Sequence, residues 1–275
     1  MADYELYTAQ ADYPPWSGPP ARTLVICTQQ RSGSTLLGEA IFFAGGLGCP
    51  LEYLHTGFRP AFEDRWRVQG LKAYIDRLHR LRTDRTGTFS IKLFWRDLQD
   101  LADEVAPGEL PGLRGPPSGT SAATYRRLFD LLTDILPDPS WVFLLRHDGL
   151  RQAVSNFVAW RTASWRKTAA APEPRRREVD YDPVLIRRFL TRVLRHNAHW
   201  RNFFRENGLP FEQIAYEDLE RDYAETLRTF FVAIERPDAA LSPPRLYKQA
   251  DGASEALVRR FRQDMISGGP VATLG

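Results

Sequence analysis

A short apolar run that leads directly into a polar, glycine-containing turn constrains this chain more than any other feature. Residues 24–27 (Leu-Val-Ile-Cys) have the character of a buried strand, and residues 34–44 have that of an apolar helix. A strand, a tight turn and a helix in this order aim backbone N–H groups and a helix N-terminus at one place. The segment therefore predicts an anion-binding loop.

The side chains of this turn support the same prediction. Arg31 supplies a forked cation, Ser32, Ser34 and Thr35 supply hydroxyl groups, and Gly33 lets the backbone approach a ligand closely. A Ser/Thr-rich cap on an ordinary core helix is the alternative, but so many anion-binding groups together favour a loop built for a phosphate-like group.

The loop differs from the ATP-binding Walker A loop. That motif has a glycine five residues before the second glycine and a lysine directly after it. Here Thr28 stands at the first position and Ser34 at the second, while the cation precedes the Ser-Gly pair. The usual lysine for the β- and γ-phosphates is therefore missing.

The rest of the chain alternates strands with helices. Residues 89–94, 141–145 and 211–216 predict further strands, and residues 71–82, 122–136, 182–206, 223–234 and 254–265 predict helices. This alternation implies right-handed crossovers and a parallel sheet. The expected fold class is α/β.

One domain is expected over residues 21–275, preceded by an arm. Residues 1–20 are rich in Pro and Gly and predict a flexible arm or a surface strap. Residues 107–120 and 168–180 predict long loop insertions of the kind that form lids, partner contacts or disordered segments.

Composition limits the function classes. The net charge of +3 is too mild to indicate nucleic-acid binding, although 33 of the 37 basic residues are arginine, which suits oxyanion recognition. Two cysteines, no leader pattern and no apolar run of membrane-spanning length predict a soluble protein of the reducing cytoplasm.

A second anion-binding element follows the strand at 141–145. Arg146 lies at the strand's carboxyl end, where open α/β sheets bind ligands, and Ser155 falls on the next helix. Alone, Arg146 could be a surface arginine paired with Asp148, and Ser155 a solvated serine. Together with the first loop, Arg146 and Ser155 predict a binding site for a second phosphate.

The chain resembles the bacterial sulfotransferases related to trehalose 2-sulfotransferase, which use 3′-phosphoadenosine 5′-phosphosulfate (PAPS) without a metal ion. The similarity spans about residues 24–265, and its specific parts are residues 30–37 (Gln-Arg-Ser-Gly-Ser-Thr-Leu-Leu) and residues 146–155, which end in Gln-Ala-Val-Ser. The resemblance implies a P-loop-type three-layer sandwich with a central parallel sheet and flanking helices, PAPS as donor, and a homodimer.

The resemblance also implies roles for individual residues. The loop Arg31–Thr35 would bind the 5′-phosphosulfate, and Arg146 and Ser155 would bind the 3′-phosphate. Glu52 would be the general base, with His55 as the second choice.

Arg31 would also stabilise the leaving phosphate, and Lys92 matches a lysine of the family.

The acceptor is expected to be a hydroxyl group of a carbohydrate or glycolipid. Trp95, Trp160 and Trp165 are candidates for stacking on a sugar, because an indole combines an apolar face with a donor. Cys49 replaces a glutamate of the family, and the 107–120 loop has its own composition. Trehalose is therefore not implied as the acceptor.

Two other functions stay open at this point. A divergent P-loop nucleotide kinase would need Mg²⁺-dependent ATP binding. A non-catalytic, Arg-rich protein that binds polyanions would need a continuous basic surface; the arginines here are interspersed with acids, as at Asp84-Arg85 and Glu220-Arg221.

Overall fold

A central sheet of parallel strands organises the chain. The computed structural model describes residues 5–165, 179–245 and 252–268. In these residues the strand order is β2-β1-β3-β4, with every pairing parallel. The strands are β1 (Arg22–Thr28), β2 (Thr88–Phe94), β3 (Pro139–Leu145) and β4 (Phe211–Ala215).

Helices connect and cover the strands. In chain order they are α1 (Ser34–Ala44), α2 (Arg59–Trp66), α3 (Leu71–Arg82), α4 (Trp95–Val105), α5 (Ala122–Ile135), α6 (Gly149–Thr162), α7 (Pro183–Asn207), α8 (Tyr216–Arg221), α9 (Tyr223–Ala233) and α10 (Gly252–Ile266).

Alternate residues of β1 point into two separate hydrophobic clusters. Val25 and Cys27 pack with side chains of α3, α4, α5 and α7 on one face of the sheet. Leu24 and Ile26 pack with side chains of α1 and α9 on the other face. Because both faces are covered, β1 is apolar throughout its centre, as expected for a buried parallel strand. The predicted α/β three-layer sandwich is confirmed.

Three helices were not predicted: α2, α4 and α8. Helix α4 begins at Trp95, directly after β2 ends at Phe94. The Phe94 N–H donates to Oδ2 of the Asp97 carboxyl group at 3.1 Å, which stabilises this abrupt start. No Gly or Pro separates β2 from α4, so the sequence carries no signal for the end of the strand or the start of the helix.

The N-terminal segment is a strap and not a flexible arm over its described part. Leu6 and Ala11 are buried in the core. The N–H groups of Tyr13 and Trp16 donate to the carbonyls of Leu81 and Arg80, both at 2.8 Å. The prediction of flexibility is therefore wrong for residues 5–16, and the strap alternative describes them.

One buried arginine anchors the strap. Arg82, at the end of α3, is fully buried and forms a 2.9 Å ion pair with Asp12. Its two terminal nitrogens also donate to the carbonyls of Leu6 and Thr8, at 3.0 and 3.1 Å. The strap therefore brings acceptors to a cation that would otherwise be buried without partners.

The 107–120 segment is folded against the core. The carbonyl of Leu113 accepts hydrogen bonds from the Trp95 indole at 3.1 Å and from the Gln99 amide at 2.7 Å. Residues Pro117–Gly119 form a short 3-10 turn, although the composition predicted no helix there. Of the predicted loop at 168–180, residues 168–178 lie outside the described residues.

We expect Arg82→Met to lower the free energy of unfolding by about 3 kcal/mol, because Asp12 and two strap carbonyls lose their buried partner. Urea denaturation followed by circular dichroism measures this change. Lys72→Met is the matched control: the Lys72–Asp76 pair has the same hydrogen-bond length but side chains 89% and 65% exposed. The control should change stability by less than about 0.5 kcal/mol. Equal effects of the two substitutions would contradict the anchoring role.

Candidate functional site

The carboxyl ends of the parallel strands gather the predicted site residues at one edge of the sheet. The anion loop follows β1, Arg96 follows β2, Arg146 follows β3 and Tyr216 follows β4. Since the strands are parallel, these four connections lie on the same side of the molecule. The edge is where a ligand is expected in an open α/β sheet.

Hydroxyl groups inside the loop hold its shape. Ser32 is fully buried, and its Oγ donates to the Gln29 carbonyl at 2.7 Å. The same Oγ lies 2.6 Å from Thr28 Oγ1, which donates to the Leu144 carbonyl of β3 at 2.7 Å. The Ser32 hydroxyl therefore supports the loop, while the first N–H groups of α1, from Ser34 and Thr35 onward, have no partner within the helix.

Two features require a glycine at position 33: the backbone conformation and the close approach of Tyr216. Its φ of +87° lies in the left-handed region, and a Cβ at this position would sit 2.7 Å from the Tyr216 ring. Loop and ring are in contact, so Tyr216 forms a wall beside the start of α1.

Arg31 reaches from the loop to α6. Its Nε donates to Ser155 Oγ at 3.0 Å, and a terminal nitrogen donates to the Trp165 carbonyl at 2.6 Å. Burial and, after it, the nearby charge of Arg146 lower the pKa of Arg31 to about 10. Arg31 is thus still a cation at neutral pH, and the structure brings the predicted residues Arg31, Ser155 and Arg146 together.

Arg146 is a buried cation without a compensating acid. Only 9% of the residue is exposed, and its guanidinium centre lies 4.5 Å from the centroid of the Tyr216 ring. Its Nε has no hydrogen-bond partner, and the described part of the chain provides no ion pair for it. Buried charges are normally paired. Two neighbouring cations, one of them without an acid partner among the described residues, lie near a helix N-terminus, an arrangement that can hold a multiply charged anion.

Glu52 lies in a second polar cluster, with Lys92 and Tyr7. Lys92 Nζ is 2.7 Å from Glu52 Oε1, and the Tyr7 hydroxyl donates to Oε2. Burial acts to raise the pKa of Glu52, but the Lys92 charge and the hydrogen bonds from Lys92 and Tyr7 outweigh it and lower the pKa. Glu52 is therefore an ionised, buried carboxylate.

The Glu52 cluster lies against the helix that carries the anion loop. A Cβ at Gly38, in the second turn of α1, would be 3.6 Å from Cδ of Lys92 and 3.2 Å from the Pro50 carbonyl. Lys92 is only 2% exposed, so its side chain is buried beside this helix. The lysine that pairs with Glu52 therefore packs against the helix that begins at the anion loop.

His55, the second candidate base, is half-buried near the same carboxylate. Its Nδ1 accepts the Gly57 N–H at 2.9 Å. Burial and, next, the charge of Arg96 lower the pKa of His55, while Glu52 acts in the opposite direction. The imidazole is therefore neutral at pH 7, with Nδ1 already occupied.

A cleft lies beside the anion loop, and Arg96 forms part of its wall. It is lined by residues from the loop, the end of β2, α6 and α7, namely Gln29, Gln30, Phe94, Arg96, Asn156, Phe189, Arg192, Val193 and His196. His55 links the cleft to the segment of Glu52. Its ring centroid lies 6.5 Å from that of Phe94, which lines the cleft, and its N–H donates to the Glu52 carbonyl at 3.1 Å.

Comparison with known proteins decides the family. A model of the Stf0 sulphotransferase family matches residues 23–264, which is most of the chain. The chain belongs to the Stf0 sulphotransferase family. It is therefore a sulfotransferase enzyme.

Named relatives agree with this assignment. The chain is 27% identical to trehalose 2-sulfotransferase of Mycolicibacterium smegmatis, over 87% of this chain and 94% of the relative. It is 28% identical to trehalose 2-sulfotransferase of Mycobacterium tuberculosis, over 88% of this chain and 95% of the relative. A crystal structure of a sulfotransferase from Mycobacterium avium has 14% identity and a TM-score of 0.43, covering 92% of this chain and 69% of that one.

The structure corrects one predicted acceptor residue of this Stf0 family member. Trp95 is fully buried, stacks on His199 with ring centroids 4.7 Å apart and donates to the Leu113 carbonyl, so it has no face for a sugar. Trp160 and Trp165 are 54% and 46% exposed and stay available.

Sequence reasoning missed several functional candidates of the Stf0 chain. Tyr7 was missed because it lies in residues 1–20, which were predicted to form an arm outside the domain. Tyr216 was seen only as part of a similar stretch, and its place after β4 was the signal for its position at the sheet edge. Arg192 lies in the middle of α7, where helical periodicity gives no sign of a cleft.

No helix in residues 5–165, 179–245 and 252–268 combines the length and the apolar character needed to cross a membrane.

Asp97, close to Glu52, gives a pH-dependent prediction. Burial, opposed by the Phe94 hydrogen bond and assisted by the charge of Glu52, raises the pKa of Asp97 from 3.8 to about 8. Between these values the folded state holds a proton that the unfolded state has lost. Stability therefore falls as pH rises from 4 to 8, by roughly 1.4 kcal/mol per pH unit from this group.

We expect Asp97→Asn to remove this loss, because an amide oxygen still accepts the Phe94 N–H but does not ionise. Urea denaturation at pH 6, 7 and 8 measures the slope for the wild type and the variant. Asp76→Asn, a change of a side chain 65% exposed, is the control and should keep the wild-type slope. Parallel slopes for wild type and Asp97→Asn would show that Asp97 is ionised in the folded protein.

Proposed function

We propose that this enzyme transfers a sulfuryl group from PAPS to a hydroxyl group of a carbohydrate or glycolipid. The observation that carries the proposal is the unpaired, buried Arg146 beside Arg31 at the start of α1. The names of the two trehalose 2-sulfotransferases support a carbohydrate acceptor. The cytoplasmic location, the homodimer and the single domain over residues 21–275 stay predictions.

The residues of the sheet edge fit PAPS. The loop Arg31–Thr35 offers a helix N-terminus and a cation to the 5′-phosphosulfate. Arg146, with its unpartnered Nε, and Ser155 suit the 3′-phosphate, which ATP lacks. PAPS, when bound, supplies the sulfuryl group, and the departing nucleotide keeps the electrons of the broken sulfur–oxygen bond.

The chain's own groups would act on the acceptor and on the developing charge. Glu52, ionised at neutral pH, accepts the proton of the acceptor hydroxyl as its oxygen bonds to sulfur. Each carboxylate oxygen can accept two hydrogen bonds, so Lys92 and Tyr7 leave room for the acceptor. Arg31, a cation near neutral pH, stabilises the negative charge that accumulates on the leaving phosphate.

The two alternative functions lose support from the same residues. Ser34 stands where a Walker A loop has its lysine, which disfavours a nucleotide kinase. Exposed arginines are paired with acids, as in Arg114 with Asp103 at 2.5 Å and Arg151 with Glu255 at 2.8 Å. Such pairing disfavours a continuous polyanion-binding surface.

Nucleotide binding tests the donor site. We expect Arg146→Ala to weaken binding of 3′-phosphoadenosine 5′-phosphate by about 10–100-fold, the loss of one or two charge-assisted hydrogen bonds. Binding of adenosine 5′-phosphate, which differs only in lacking the 3′-phosphate, should change little. Arg31→Ala should weaken both nucleotides. Isothermal titration calorimetry without Mg²⁺ measures all affinities.

The control for nucleotide binding is Arg228→Ala, which removes an arginine 59% exposed and paired with Glu225. It should leave both affinities unchanged. Indifference of the bisphosphate to Arg31→Ala and Arg146→Ala would reject the donor site. Tighter, Mg²⁺-dependent binding of ATP would favour the kinase.

Glu52→Gln tests the base. We expect sulfuryl transfer from radiolabelled PAPS into a sugar and polar-lipid extract to fall by about 10²–10⁴-fold, while nucleotide affinity is retained. His55→Gln should have a smaller effect. A larger loss with His55→Gln than with Glu52→Gln would assign the base to His55.

The Glu52 substitution leaves Lys92 buried without its acid, which can unfold the protein. The double variant Glu52→Gln/Lys92→Met removes that unpaired charge. It should recover stability in thermal unfolding but not transfer activity. Recovery of transfer in the double variant would show that Glu52 serves folding alone.

A further inference from the structure

The cleft beside the loop has the position of an acceptor site. Gln29 and Gln30, which line it, belong to the turn that continues into the anion loop. Phe94, which also lines it, lies 6.5 Å from His55 between ring centroids, and the His55 N–H donates to the Glu52 carbonyl at 3.1 Å. The cleft therefore adjoins both the proposed donor site and the proposed base.

The cleft is lined by cations and by no acid. Arg96 and Arg192 are among its lining residues, and Arg195 lies one turn from Arg192 on α7. Arg96 has one acid, Asp100, at 3.6 Å. For Arg192 and Arg195, the described ranges contain no ion pair, and the buried Nε of Arg195 has no hydrogen-bond partner.

The arginines act on one another across the cleft. Burial and, after it, the charges of Arg96 and Arg195 lower the pKa of Arg192. Burial and the same arginines lower the pKa of His196 to about 3, so this histidine adds no charge of its own. Arg96 and Arg192 line the same cleft, and a bound anion would relieve the repulsion between their charges.

The uncharged part of the lining suits a sugar. Gln29 is 6% exposed and Asn156 is 4% exposed, yet Gln29 Nε2 and Asn156 Oδ1 have no hydrogen-bond partner. His196 Nδ1 lies 3.0 Å from Gln29 Oε1, and this hydrogen bond fixes the orientation of the Gln29 amide. These two amides form a polar floor beneath the cleft, and Phe94 and Phe189 supply apolar surface against which a sugar ring can pack.

We infer that the acceptor is an anionic carbohydrate, whose carboxylate, phosphate or sulfate group is held by Arg96 and Arg192. The inference rests on the proposed function, since it names the substrate class of the same enzyme. Trehalose, in the names of the relatives, is an uncharged sugar, so this chain would differ from them in its acceptor.

Matched acceptor pairs test the inference. Each pair has one neutral and one anionic member: trehalose with trehalose 6-phosphate, and methyl glucoside with methyl glucuronoside. Transfer from radiolabelled PAPS gives kcat/KM for each, and calorimetric titration into the protein with bound 3′-phosphoadenosine 5′-phosphate gives acceptor affinity. We expect at least one anionic member to exceed its neutral partner by about tenfold or more in affinity and in kcat/KM.

Arginine variants assign that preference to the cleft. Arg96→Gln and Arg192→Gln should each reduce the anionic-to-neutral ratio about three- to tenfold, and together they should bring it close to one. Both arginines are exposed enough to be replaced without loss of folding, which thermal unfolding checks. Arg228→Gln, on the distant helix α9, should keep the wild-type ratio. A phosphate preference without a carboxylate preference would select the phosphorylated sugar.

Two outcomes overturn the inference. The first is equal or better binding of the neutral member of every pair. The second is a loss of 3′-phosphoadenosine 5′-phosphate affinity in the Arg96 and Arg192 variants, which would assign these arginines to the nucleotide. Failure of the proposed function is distinct from both, since it shows as absence of bisphosphate binding by the wild type.

Discussion

The buried ion pair between Lys92 and Glu52 couples the sheet to the chemistry proposed at its edge. Leu51 forms a parallel bridge with Ile91, and its carbonyl accepts the N–H of Lys92 at 2.9 Å. Because the two segments run side by side, the residue after Leu51 comes to face Lys92. Two charges taken out of water recover their solvation energy only in well-held geometry with further hydrogen bonds, which here include the one from Tyr7.

Two buried arginines with opposite surroundings separate structural from functional charge. Arg82 has an acid at 2.9 Å and two strap carbonyls, so its burial is balanced inside the protein. Both guanidinium groups lie over aromatic rings and both have an unpartnered Nε, but the described residues provide no acid for Arg146. The same residue type thus fastens the strap in one place and stays available in the other. For a chain with 33 arginines, this balance of partners tells more about function than arginine content does.

Local sequence patterns predicted the strands and most helices, whereas the positions of several side chains depend on contacts between residues distant in sequence. β1 and β3 are continuous apolar runs, and α7 has apolar periodicity and caps at both ends. These elements, and the weaker strand candidate at 211–216, were predicted to within about two residues at most ends. The loop Arg31–Thr35, Arg146 and Ser155 could be proposed because strand ends meet at one edge. The burial of Trp95 and the pairing of Glu52 with Tyr7 depend on residues far apart in sequence, to which local periodicity gives no access. The cleft beside the anion loop was missed because its lining comes from four segments that are far apart in sequence.

The strap has a consequence for how the enzyme is assembled. Residues 5–16 are synthesised before the helix that holds them, since their anchor, Arg82, lies at the end of α3. Docking has to wait until that helix and β2 have formed, and only then does Tyr7 reach the carboxylate of Glu52. The electrostatic environment of this carboxylate is thus a property of the completed domain, because it needs Tyr7 and Lys92 in place together.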